Sequence, residues 1–453
     1  MFNMELEEYL DLEKQISDNL SSIYVDDMPL WRIVRTSFRE RYLGLIDRNI
    51  APTINVFQLM NNTLKSFWGL TKMWISKKKY ANVFLPHPRL YLVGKSYLER
   101  MSDPLIDYSK IGDNYIILER HQNGIHRTPR YHKEKVIYLD LIDVIATLLS
   151  KLTHFKYKRK YKEQIDILYG YLDKQFHLSD ESYKIMFYNL MTSKLILSHL
   201  TKPLLKRIEP KRIFLATRDT YNYVISYAKN NGITTIELQH GVTVGETTLY
   251  SGQYDPKIDP DYFFTFGKAN IGNHFSVPLD RIKNIGFAYK NYLSELGLPL
   301  YSDNTILVIS ELTITENLLK IIFSLADIYK DYIFHIRCHP QEKLTEDQLS
   351  SISKFKNVSV ADNTIESFCA ITQYTTVIGE NSTVMYEAMS LHKKVGRLNY
   401  GGLHIIESEF IHGGYKINSE EDFKRFMEEP YSDKNDSKDV YSDFNEKVFS
   451  ELS

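Results

Sequence analysis

Three short polar clusters in this sequence combine residue types that can move a proton and hold a phosphate. Each directly follows an apolar run that reads as a β-strand. The first is Glu237-Leu238-Gln239-His240-Gly241. Imidazole titrates near neutral pH, so a histidine at a strand's carboxyl end can serve as a general base. Gly241 allows a sharp turn that projects the ring, and Gln239 is a further candidate beside it. His240 could equally cap a loop through hydrogen bonds. The second cluster is Arg337-Cys338-His339-Pro340. Here His339 could donate to a phosphate, with Arg337 as a nearby cation and Pro340 suited to a first turn with outward N–H groups. Turn shaping is the competing reading, and His87-Pro88, which reads as structural, shows how readily the dipeptide arises. The third cluster is Gly379-Glu380-Asn381-Ser382-Thr383, leading into a helical segment that carries Glu387. A helix amino end offers free N–H groups and the positive end of the dipole, which suit a pyrophosphate. Hydroxyls of Ser382 and Thr383 would add donors, and Glu387, about one turn in, could take two ribose hydroxyls. Ser382 is also a standard N-cap residue, and capping is compatible with phosphate binding.

Weaker candidates sit after other strand-like runs. Ser310-Glu311 would reach the same cleft, and Arg218-Asp219 could contact an anion. Asp259-Pro260-Asp261 fits a DxD metal pattern formally, but its flanking prolines read as a rigid entry turn. No HExxH and no clustered carboxylate set points to a tight metal site, so neither a metal nor another cofactor is expected. The phosphate loop GxxxxGK[ST] and the GxGxxG fingerprint are both missing, which removes the commonest nucleotide hydrolases and dinucleotide dehydrogenases.

The elements that must position these clusters follow from periodicity. Residues 1–80 read as a helical amino-terminal region. Strand-like runs at 82–85, 90–93, 115–118, 136–139, 212–216, 234–238, 262–266 and 282–285 mark a first α/β domain over 81–295, interrupted by a helical, basic insertion at 141–206. Gly, Pro, Ser, Asp and Asn cluster at 296–304 as in a linker. Beyond it, strands at 305–309, 332–338, 358–360, 376–378 and 394–398 alternate with amphipathic helices, as βαβ units of a second domain over 305–430. Residues 431–453 read as a polar, surface tail. The fold class expected is α/β, with two Rossmann-like domains facing across a cleft, where a ligand would lie outside the carboxyl ends of the strands.

At 43% hydrophobic and 25% charged the composition is that of an ordinary globular chain, which rules out wholesale disorder. The 453 residues carry 56 Lys and Arg against 57 Asp and Glu, a net charge of −1, so a nucleic-acid coat or acidic tail is excluded. Two cysteines without a CxxC support neither a disulfide framework nor a cysteine zinc site. No signal-like amino terminus and no apolar run of ~18 residues occurs, so a cytoplasmic location is expected. Aromatic residues make up 13%, which suits ring-lined clefts.

Taken together, QHG, HP and G-x-N-S-T…E in this order, the last two ~40 residues apart, resemble the GT-B glycosyltransferases of bacterial surface-polysaccharide assembly. The resemblance covers roughly 211–419 and is nearest to polysialyltransferases, capsule Kdo transferases and CDP-glycerol teichoic-acid polymerases. It implies that His339-Pro340 and Ser382-Thr383 bind the phosphates of a nucleotide donor linked to CMP, CDP or UDP. It implies His240 as the base of an inverting displacement, with Glu246 as the acidic alternative. The partners implied are a nucleotide sugar and a glycan or lipid-linked oligosaccharide acceptor, with no nucleic acid. A nucleotide-sugar epimerase on the same fold and a non-catalytic polysaccharide-binding assembly protein are the alternatives.

Two basic, aromatic stretches stand outside these motifs. One holds Lys65, Trp68, Lys72, Trp74 and Lys77-Lys78-Lys79, and the other runs from Lys151 to Lys162. Both could rest on an anionic membrane, placing the protein peripherally on the inner face of the plasma membrane. Each could equally be a solvated helix face whose apolar side enters the core.

Overall fold

The computed structural model describes residues 6–42, 56–178, 180–245, 247–405, 413–432 and 439–451. Strands that are apolar at every position need cover on both faces, the condition of a parallel sheet. In the first domain Asn82–Leu85 (β1) and Tyr115–Glu119 (β2) are buried throughout. They join Val136–Tyr138 (β3), Arg212–Leu215 (β4), Thr234–Leu238 (β5), Tyr262–Thr265 (β6) and Ile282–Asn284 (β7). The seven strands are parallel in the order β7-β6-β5-β4-β1-β2-β3. Phe84 of β1 lies opposite Phe214 of β4 in register, and their rings stack at 4.6 Å.

The second domain contains Thr305–Ile309 (β8), Ile333–Arg337 (β9), Val358–Val360 (β10), Thr376–Gly379 (β11), Lys394–Leu398 (β12) and Tyr415–Ile417 (β13). This sheet is also parallel, in the order β10-β9-β8-β11-β12-β13. The protein is therefore an α/β chain of two parallel-sheet domains. The run at 90–93 belongs to neither sheet: Tyr91–Val93 pairs antiparallel with Ser96–Leu98 in a separate hairpin.

The amino-terminal helices Leu6–Leu20 and Leu30–Tyr42 are part of the first domain's core, packed with the insertion helices Asp140–Lys160, Lys162–Phe176 and Ser182–Ile208. A buried ionic lattice joins them to the strand ends. Arg32 pairs with Asp259, and Arg35 lies 3.0 Å from Asp219. Arg218 bridges Asp259 at 3.1 Å and Glu237 at 2.5 Å. Stripping either partner from such a pair would leave an uncompensated buried charge, so these contacts hold the helices in register.

The carboxyl-terminal stretch differs from the surface tail expected. Residues 439–451 return to the first domain, where Val440, Tyr441 and Phe449 are buried. Their backbone lies directly over two glycines. A Cβ on Gly267 would sit 2.2 Å from the Asp439 carbonyl, and one on Gly286 2.1 Å from that of Asp443. Ser442 N–H donates to the Phe266 carbonyl and Asn445 N–H to that of Ile285. The polar composition around 432–438 concealed the three apolar anchors that follow it. These anchors enter one apolar cluster that runs from Leu238 of the first sheet to Leu307, Val377 and Met385 of the second domain.

Candidate functional site

His240 follows the carboxyl end of β5, where backbone pairing ends and side chains can turn toward the second domain. Gln239 does not join it there. It is fully buried, and its amide accepts from Phe266 N–H at 2.8 Å and donates to the Gly241 carbonyl at 2.7 Å. Gln239 is the strut that shapes the loop. The His240 Nδ1 lies 3.1 Å from the Tyr250 hydroxyl, which also receives the His240 backbone N–H. The ring is bonded as well to the Ala216 carbonyl. Burial lowers His240 to a pKa of about 4, against the opposing pull of that carbonyl.

The imidazole beside it is His87, which follows β1 and had read as structural. The two rings are parallel within 9°, with centroids 5.7 Å apart. Burial, then the neighbouring His240, lowers His87 to about 4 as well. Two imidazoles this close disfavour charge on each other, so near neutral pH both are uncharged. His87 Nδ1 accepts from Arg89 N–H at 3.1 Å, which fixes its ring.

Arg100, unforeseen in the sequence, joins the first domain to the second. Its charge acts on His87, while its Nη1 lies 3.1 Å from Glu366 and 3.6 Å from Glu387. The guanidinium also sits over the Tyr91 ring at 4.6 Å. Tyr289 donates to the other Glu366 oxygen at 3.0 Å. Glu387, the ribose candidate, is buried and its pKa is raised to about 7 by desolvation, with Arg100 opposing. Its Oε2 has no hydrogen-bond partner, an acceptor that a ligand hydroxyl would satisfy.

The HP turn is organised differently from the helix start anticipated there. Residues 339–342 form a turn, and the next helix, Glu346–Ser353, begins only later. Glu342, absent from the candidates above, accepts from His339 N–H at 2.9 Å, from Ser310 Oγ at 3.0 Å and from the Thr315 hydroxyl at 2.5 Å. A carboxylate thus already holds groups proposed for a phosphate. Arg337 faces its own loop, donating to the Asp362 and Ile365 carbonyls at 3.2 and 2.6 Å. The carbonyl of Glu311 accepts from Thr315.

At the third cluster the expected junction forms. Ser382 caps the helix Thr383–Ser390 through Val384 N–H, and Thr383 is exposed at its start. Glu380 accepts from His404 N–H at 2.7 Å. Gly379 is tightly enclosed, with Ile309 and Met385 at 3.2 and 3.0 Å from a Cβ built there. Asn381 accepts from Arg397 Nη1 at 3.3 Å. Arg397, at the end of β12, is fully buried, and both its Nε and Nη2 lack a partner. A buried guanidinium with two free donors beside a capped helix start fits an anion. Only a glycine-flanked strand end marked Arg397 in the sequence, and nothing there predicted its burial.

Two candidates serve the scaffold instead. Arg218 is part of the buried lattice described above rather than an anion contact. Asp259 is committed to Arg32 and Arg218, and Asp261 to Lys229 and Thr235, so the DxD pair is structural. Among the described residues, no group of three or more His, Cys, Asp or Glu could hold a metal ion. Glu246 lies outside the described residues.

No known family and no curated protein matches the chain. Solved structures do. The UDP-GlcNAc 2-epimerase from Methanocaldococcus jannaschii is 10% identical over 83% of this chain and 99% of its own, with a TM-score of 0.45. The enzyme of the same name from Neisseria meningitidis, bound to UDP-GlcNAc, is 12% identical over 82% and 98%, with a TM-score of 0.47. The wall teichoic acid polymerase TagF is 13% identical over 93% and 95%, with a TM-score of 0.43.

Proposed function

We propose that the protein is a glycosyltransferase that moves a sugar from a CMP-, CDP- or UDP-linked donor to a capsule, exopolysaccharide or lipopolysaccharide acceptor, without a metal. The observation that carries this reading is the half-buried His240, its ring stacked on His87 and kept neutral by desolvation, together with the unsatisfied Oε2 of Glu387 beside Arg100. In the working tautomer Nδ1–H is donated to Tyr250, leaving Nε2 with the lone pair a base needs. The resting ring donates to the Ala216 carbonyl, so acceptor binding shifts it to this tautomer, and the acceptor hydroxyl then donates to Nε2. It loses its proton to His240 as its oxygen attacks the anomeric carbon. The bond from that carbon to the donor phosphate breaks, the electron pair leaves with the phosphate, and configuration inverts.

The departing nucleotide is anionic. Its phosphates are met by the amino end of Thr383–Ser390, the Ser382 and Thr383 hydroxyls and the free donors of Arg397, with His339 alongside. The ribose hydroxyls bond to Glu387. Product analysis with a panel of nucleotide sugars and a glycan acceptor tests the reading. Transfer to the acceptor is the expected result. Interconversion of the free nucleotide sugar would make the protein an epimerase, and glycan binding without turnover would make it a scaffold.

A further inference from the structure

The helix Val56–Ser76 turns most of its large apolar side chains to solvent. Two of its four buried positions are polar: Asn62 donates to the Gly124 carbonyl at 2.8 Å, and Ser66 to that of Tyr138 at 2.5 Å. Leu70 and Met73 complete that face. The opposite face is apolar and open to solvent. Phe57 is 84% exposed, Trp68 62% and Ile75 75%, with Met60, Leu64 and Phe67 exposed between them. At 100° per residue these six fall within about one third of the helix circumference, a continuous stripe some five turns long. Scattered surface apolar residues are ordinary, but a stripe of this length marks an interaction face.

Charge selects the occupant. The stretch from Val56 to Lys79 contains Lys65, Lys72, Lys77, Lys78 and Lys79 and no Asp or Glu. Lys65 and Lys72 are seven residues apart and form a cationic row along one edge of the stripe. The helix Asp140–Lys160, packed beside it, repeats the pattern. Its Leu148, Leu152 and Phe155 are exposed at spacings of four and three, next to exposed Lys151, Lys156 and Lys158. A second copy of the chain docking through this face would bring like-charged rims together. A surface that is apolar inside and negative at its boundary satisfies both features, and tryptophan favours such boundaries. No helix among the described residues is long and apolar enough to cross a membrane, so the geometry is that of a helix lying in the interface.

We infer that the Val56–Ser76 face, flanked by Asp140–Lys160, docks the protein onto an anionic lipid bilayer. The inference is independent of the transfer reaction. It is tested by flotation of the full chain with phosphatidylcholine vesicles, with and without an equal part of phosphatidylglycerol. The protein should float with the anionic vesicles and bind the neutral ones at least about tenfold more weakly. Brominated lipid should quench its fluorescence, since Trp68 and Trp74 are exposed while Trp31 is buried. Phe57→Ser with Leu64→Ser and Trp68→Ser should weaken binding by about tenfold or more without changing the circular dichroism spectrum. Should that variant misfold, Lys65→Gln with Lys72→Gln and Lys77→Gln gives the same readout through charge. Failure to float with anionic vesicles, equal binding to neutral vesicles, or binding unchanged in the correctly folded variant overturns the inference. So does a dimer in solution that the serine substitutions dissociate.

Discussion

The strand ends of the two domains solve opposite problems. In the first, His87 and His240 are packed together and kept uncharged by burial, which leaves a base ready to take a proton. In the second, the HP turn is held by the carboxylate of Glu342, which occupies Ser310 and the His339 backbone, while free positive donors collect instead at Arg397 beside Ser382. The lesson is that a histidine and a serine after neighbouring strands do not by themselves make an anion site. What decides is whether their donors are already spent. On that basis the proposal puts the proton-transfer end at His240 and the phosphate end at the Asn381–Thr383 turn rather than at the HP turn.

The sharpest way to break this contrast is His240→Ala. Turnover should fall by ~10²- to 10⁴-fold, with nucleotide affinity in calorimetry unchanged within about twofold. A matching loss of affinity would move His240 to the donor side. A smaller effect is expected from Arg397→Lys and from Ser382→Ala, each weakening nucleotide binding by about tenfold, or ~1.4 kcal/mol. His339→Ala should cost clearly less than either. If His339→Ala proves the most damaging of the three, the phosphates sit at the HP turn after all.

The smallest effect is on stability against pH, and its sign differs between the domains. His87 and His240 have folded values of about 4, below the ordinary 6.5, so the folded state resists their protonation. Their contribution is present above pH 6.5 and is lost as pH falls toward 4. Glu387 has a folded value of about 7, above the ordinary 4.5. Its contribution is present below pH 4.5 and is lost as pH rises through 7. Thermal unfolding from pH 4 to 8 should show His240→Gln flattening the acid limb and Glu387→Gln the alkaline limb, each by a few degrees. A flat response to both would remove the burial argument from either site.

Much of the sheet framework was readable because strands covered on both faces leave continuous apolar runs between turn signals, as in 213–215 and 306–309. The Ser382 junction was readable for a similar local reason: cap, helix and glycine are adjacent in sequence. What could not be read depends on long-range partners. His87 and His240 are 153 positions apart, and only the adjacency of β1, β4 and β5 brings their strand ends together. Arg100 and Arg397 look like surface residues until their neighbours are known. Periodicity revealed the stripe on Val56–Ser76 but not which way it faced, because a moment has direction only relative to a core.

The return of residues 439–451 to the first domain means that this domain is built from segments on both sides of the second domain's sheet, Thr305–Ile417. The backbone that lies over Gly267 and Gly286, and the Tyr441 ring that packs on Phe266 and Phe287, are therefore synthesised only after the whole of the second domain's sheet.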